Sequence, residues 1–93
     1  MRVLLSGGDF AARTDVAEAL RALGADVSEA AGAAEALRLL SSAMAQGAPF
    51  GLVMDLEGAL AQRATTVFPE DPPTVLRVRG PVDAVEALRN AGS

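Results

Sequence analysis

Asp26-Val27-Ser28-Glu29-Ala30-Ala31-Gly32-Ala33-Ala34-Glu35-Ala36-Leu37-Arg38-Leu39-Leu40 changes its repeat part-way along. Over Ala25 to Ala30, Val27 is the inward apolar position. Asp26, Ser28 and Glu29 keep the segment half exposed, as at the edge of a sheet. Gly32 then opens a helix predicted over about Ala33 to Ala45. Leu37, Leu40 and Met44 share one of its faces, and Glu35 and Arg38 take the outer side. A short strand, a small turn and an amphipathic helix within twenty residues make one strand–helix unit, and the rest of the chain repeats that unit.

Upstream, Arg2 to Ser6 carries the apolar run Val3-Leu4-Leu5, stopped by Gly7-Gly8. Such a run bounded by glycines fits a strand buried on both faces. A helix follows from about Asp9 to Leu23. Val16, Leu20 and Leu23 form its inner stripe, Asp9 is a candidate N-cap with Thr14 and Asp15 as a second candidate a turn later, and Gly24 ends it. Downstream, Gln46-Gly47-Ala48-Pro49 breaks the second helix, and Phe50 to Leu56 is the most apolar strand. A short third helix is predicted over about Gly58 to Ala64, because Thr65-Thr66-Val67-Phe68 is β-prone. Pro69-Glu70-Asp71-Pro72-Pro73 makes a stiff polar turn before a fourth strand, Thr74 to Arg79. Pro81 suits the first turn of a fourth helix, and Asp83 complements its positive end. The order βαβαβαβα over residues 1–93 predicts one α/β domain with a parallel sheet and right-handed crossovers.

Composition narrows the chemistry. The 93 residues contain no Cys and no His, and their net charge is −4. That removes thiol nucleophiles, disulfides, imidazole bases and zinc-finger sites. All the basic residues are arginine, so no Schiff-base or P-loop lysine exists. The acidic balance argues against nucleic-acid binding, which needs a positive face. The N-terminal apolar run is too short for a membrane span, and the cytoplasm is the expected location.

Several stretches together resemble the receiver domain of bacterial response regulators. Arg2-Val3-Leu4-Leu5 looks like its first strand, and Asp26 to Leu40 like its second strand and helix. Leu52-Val53-Met54-Asp55-Leu56 falls where the family's phosphorylated aspartate ends the third strand, and Pro73-Thr74-Val75-Leu76 looks like the fourth strand. The resemblance implies a flavodoxin-like parallel sheet with helices on both faces, shortened to (βα)4. The family's fifth strand and helix have no counterpart. It also implies a mechanism in which Asp55 takes a phosphoryl group from a histidine kinase. Acidic residues after the first strand would hold Mg2+, and a hydroxyl residue and a lysine would sense the phosphate.

At the supporting positions the chain departs from that pattern. Gly7 and Gly8 stand in place of the acidic pair, with Asp9 as one acidic helper, and Val78 or Arg79 stands where the hydroxyl belongs. One carboxylate with a single helper is a poor Mg2+ site, so weak Mg2+ binding at most, no cofactor, and slow or no phosphorylation are expected. The chain reads as a non-catalytic, receiver-like module of a two-component or phosphorelay pathway. Its expected partners are a second copy of itself and a histidine kinase, phosphotransfer protein or other regulator. The alternative is a small nucleotide- or phosphate-binding domain that uses the Ser6-Gly7-Gly8-Asp9 loop at a helix N-terminus.

Two further expectations concern the end of the sheet. Arg77 and Arg79 would lie on one face of the fourth strand, as suits an edge strand that discourages further pairing. In a sharper form, Arg79 pairs with Asp55 or Glu57 as a fixed substitute for the lysine. Absence of the family's last helix would leave Val3, Leu5 and part of the third strand uncovered, forming an interaction surface with Arg77 nearby.

Overall fold

The alternation of Val3, Leu4 and Leu5 sends side chains to both faces of β1 (Arg2–Ser6), and all three are fully buried. The computed structural model describes residues 1–91. Gly7 and Gly8 end β1 at φ 85° and 73°, a left-handed backbone that glycine adopts without steric cost. The chain then enters α1 (Phe10–Ala22), where the Asp9 carboxylate accepts the Ala12 N–H at 2.7 Å, as expected of an N-cap. After α1 come β2 (Asp26–Ala30), α2 (Ala33–Ala45), β3 (Leu52–Asp55), α3 (Leu60–Val67), β4 (Val75–Arg77) and α4 (Pro81–Ala91).

All strand pairs are parallel and the sheet order is β2-β1-β3-β4. The domain is thus an α/β (βα)4 unit with a flavodoxin-like sheet, as the sequence predicts. β1 to β2 moves one way across the sheet, whereas β2 to β3 and β3 to β4 move the other. Right-handed crossovers therefore put α1 on one face and α2 with α3 on the opposite face. The two halves of the core match this. Leu4 and Val53 pack with Ala36, Leu40 and Leu60 of α2 and α3, while Val3, Leu5 and Met54 pack with Val16 and Leu20 of α1.

Two expectations need correction. The third helix does not stop at Ala64 but runs to Val67, through the β-prone residues. Thr65 and Thr66 donate their hydroxyls to the carbonyls of Ala61 and Gln62, one turn back, a bond that helical threonines commonly make. Local preference yields to the burial of Leu60 and Ala64 against the sheet.

The larger correction concerns Val3 and Leu5, which form no exposed surface. After β4 the chain turns back, and α4 lies beside α1 over the sheet face that the sequence reading left bare. Ala84 is fully buried there, and Val78, Ala87 and Leu88 complete the apolar layer over Val3, Leu5 and Met54. No fifth strand exists among the described residues for α4 to lead into. In this position the helix takes apolar side chains of both the sheet and itself out of water. Ala at position 84 lets its backbone approach closely.

Candidate functional site

The carboxyl ends of β1 and β3 lie side by side, with Ser6 and Asp55 in register. Two loops meet there. One is Gly7–Asp9, leading into α1. The other is Leu56–Ala59, leading into α3. This is the edge at which open α/β sheets place their ligands.

Asp55, the phosphoacceptor-like residue, is only 2% exposed. Each of its oxygens accepts one backbone N–H. Oδ1 accepts the backbone N–H of Glu57 at 2.9 Å, and Oδ2 accepts that of Leu60, the first residue of α3, also at 2.9 Å. A carboxylate in this position satisfies the free N–H groups of a helix start and holds the loop around Gly58 in place. Gly58 itself has φ 90°. Its partners therefore define Asp55 as the structural anchor of the β3–α3 loop.

Glu57 joins the two loops. Its Oε1 accepts the Gly8 N–H at 2.9 Å, so the glycine loop already holds an anion from its own chain. The fit is close. A Cβ on Gly7 would come within 2.7 Å of Glu57 Cγ and 3.2 Å of Asp55 Oδ1, and one on Gly8 would meet Leu56 at 3.0 Å. Only hydrogen atoms at positions 7 and 8 leave room for Glu57 and Leu56. Beneath them, the buried Ser6 hydroxyl has no hydrogen-bond partner among the described residues.

Asp9 faces its own helix as the α1 cap and makes no bond to Asp55 or Glu57. Arg79 makes no ion pair with Asp55 or Glu57 among the described residues. Its backbone N–H donates to Asp83 Oδ2 at 3.0 Å and closes the turn into α4. Arg77, which lies in register with Asp55, is the arginine that reaches toward the site. Its guanidinium lies against Gly58, so that a Cβ there would meet Nη1. Across the described residues no group of three or more His, Cys, Asp or Glu side chains converges as a metal ligand set.

Arg13 was missed by sequence reasoning. From the first turns of α1 it folds back and donates through Nη1 to the carbonyls of Gly7 (3.3 Å) and Gly8 (3.1 Å). Its Nε lies 3.6 Å from Glu29 of β2. The glycine loop is therefore held from both sides, its amide by Glu57 and its carbonyls by Arg13. Nothing in the local sequence signals this, because an arginine near a helix start reads as solvated.

Compared with known proteins, the chain matches no family model, no curated protein and no solved structure. The fold and the geometry above carry the functional argument by themselves. Among the described residues no helix is long and apolar enough to cross a membrane.

Proposed function

We propose that this domain is a receiver-like signalling module of a two-component or phosphorelay pathway that acts by protein–protein contact and not by phosphotransfer. One observation carries the reading. The only aspartate at the end of β3 spends both oxygens on the backbone of its own loop, and Glu57 fills the space beside it. Attack on a phosphodonor needs an accessible carboxylate oxygen, whereas Asp55 is 2% exposed, and cations to balance the charge that builds on the phosphoryl group. At this edge Arg77 lies against Gly58, Arg13 donates to the carbonyls of Gly7 and Gly8, and the neighbouring carboxylate of Glu57 has the wrong sign.

The surface supports a contact role. Phe10 and Val82 open the neighbouring helices α1 and α4, and they are 75% and 79% exposed. Apolar side chains this open on adjacent helix starts suit docking against another protein, such as a kinase, a phosphotransfer protein or another regulator. Incubation with a small acyl phosphate and Mg2+, followed by intact mass, tests the reading. The expected spectrum is that of unmodified protein. Rapid addition of one phosphoryl group, abolished in Asp55→Ala, would overturn it.

A second reading has one observation in its favour. The Gly8 amide binds a carboxylate, so the Ser6–Asp9 loop is built to receive an anion, and a phosphate-bearing ligand that displaced Glu57 would meet the same amide. Calorimetry with nucleotides and inorganic phosphate separates the two readings. Saturable binding that strengthens in Glu57→Ala favours the ligand-binding domain.

A further inference from the structure

With α4 sealing the α1 face, self-association requires a different surface, and the outer edge of β4 has the features of one. β4 pairs only with β3 among the described residues. Val78 donates its N–H to Asp55 O at 3.0 Å, so even-numbered positions of this segment bond inward. By alternation Val75 and Arg77 turn their N–H and C=O groups outward, away from β3. Beside that edge runs an open cleft of about 500 Å³ lined by Leu76, Arg77, Asp83, Glu86 and Ala87. Leu76 is only half buried in it.

The charges along this edge are polar in the sense of direction. Glu70 and Asp71 stand before β4, and Arg77 and Arg79 stand at and beyond its end. All four are exposed. Arg77 and Arg79 discourage pairing with most strands, as the sequence suggests, and a parallel neighbour would set Arg77 against Arg77. An antiparallel neighbour of the same sequence would set the basic end of each copy against the acidic end of the other.

We propose that two copies of this chain pair antiparallel through β4, with the two-fold axis at Leu76, to form one continuous eight-stranded sheet. In this register Val75 of each copy faces Arg77 of the other as a hydrogen-bonded pair. The four outward-facing N–H groups of the two strands thereby all find carbonyls. Leu76 meets Leu76 as a non-hydrogen-bonded pair, in which side chains approach most closely. Arg79 falls opposite Pro73, within reach of Asp71 and Glu70. The inference rests on the contact-module reading and adds a surface for self-association, separate from the exposed Phe10 and Val82. It stands or falls separately from the chemistry of Asp55.

The chain has no Cys, so single cysteines report the register directly. Under mild oxidation Leu76→Cys is expected to give a covalent dimer, and Val75→Cys and Arg79→Cys little or none, because only a residue on the axis meets its own copy. In sedimentation at micromolar concentration, Arg79→Glu is expected to weaken the dimer about tenfold, since two symmetry-related ion pairs change together. Combining it with Glu70→Arg and Asp71→Arg should restore association. A monomer under these conditions overturns the proposal. So does a dimer that ignores the charge reversal, or one that cross-links through Val75→Cys and not through Leu76→Cys. A monomer that takes up a strand of another protein at this edge overturns it as well. None of these outcomes alters the phosphodonor result, which tests the contact-module reading by itself.

Discussion

Glu57 seats its carboxylate on the backbone amide of Gly8, with Oε1 2.9 Å from the nitrogen, and so ties the loop after β3 to the loop after β1. The contact spans 49 residues of sequence and uses a charged acceptor. Replacing Glu57 by Ala removes it. The expected loss of stability is about 0.5–1.5 kcal/mol in urea unfolding, the usual range for one hydrogen bond at an exposed site. Hydrogen exchange should show the change locally, with the Gly8 amide exchanging faster and the β1 core amides unchanged.

Asp55 offers a sharper contrast. Asp55→Ala strips the acceptor from two backbone N–H groups, one of them in a buried setting. An expected cost of about 2–3 kcal/mol follows from leaving such donors unsatisfied. Asp55→Asn keeps one oxygen and presents an NH2 group to the other donor, so it should fall between wild type and Ala. Equal stability of all three proteins in chemical denaturation would show that the carboxylate does not anchor the loop.

Gly7 combines a positive φ of 85° with a Cβ position 2.7 Å from Glu57 Cγ. Gly24, at φ 89°, has open space around it. Both Gly→Ala changes incur the left-handed backbone cost of about 1–2 kcal/mol, but only Gly7→Ala adds a clash. Gly7→Ala should therefore be the more destabilising. The difference should shrink in the Glu57→Ala background, a non-additivity that a double-mutant cycle measures.

The position of α4 is tested at Ala84 and Val82. Ala84 is fully buried against the sheet, whereas Val82 is 79% exposed on the same helix. Ala84→Leu overfills the layer and should cost about 1–3 kcal/mol. Val82→Leu should change stability by less than about 0.5 kcal/mol, as exposed substitutions do. The reverse order in thermal unfolding would place the helix elsewhere.

Much of this fold was legible in the sequence because burial and local chemistry agree. The Val3-Leu4-Leu5 run, the Asp9 cap and the Gly24 stop each specify their element through short-range physics. The face taken by α4 was not legible, because its apolar positions fit either side of the sheet and only the completed fold decides which side lacks cover. Thr65 to Val67 misled for a related reason, since tertiary burial of Leu60 and Ala64 outweighs β-propensity. At the site, the positions of Asp55 and the glycine loop could be read from strand ends. That Glu57 would occupy the loop amide could not, because that contact depends on the β1–β3 register. Arg77 rather than Arg79 reaches the site because Arg77 aligns with Asp55 on the adjacent strand.

The central claim is that the Asp55 carboxylate is held by its own loop and unavailable to a phosphoryl group. Nuclear magnetic resonance of the labelled protein, titrated with Mg2+ and beryllium fluoride as a phosphoryl mimic, tests it most directly. The account predicts that the amide signals of Gly8, Glu57 and Leu60 stay where they are. Saturable shifts of those three signals, absent in Asp55→Ala, would contradict it.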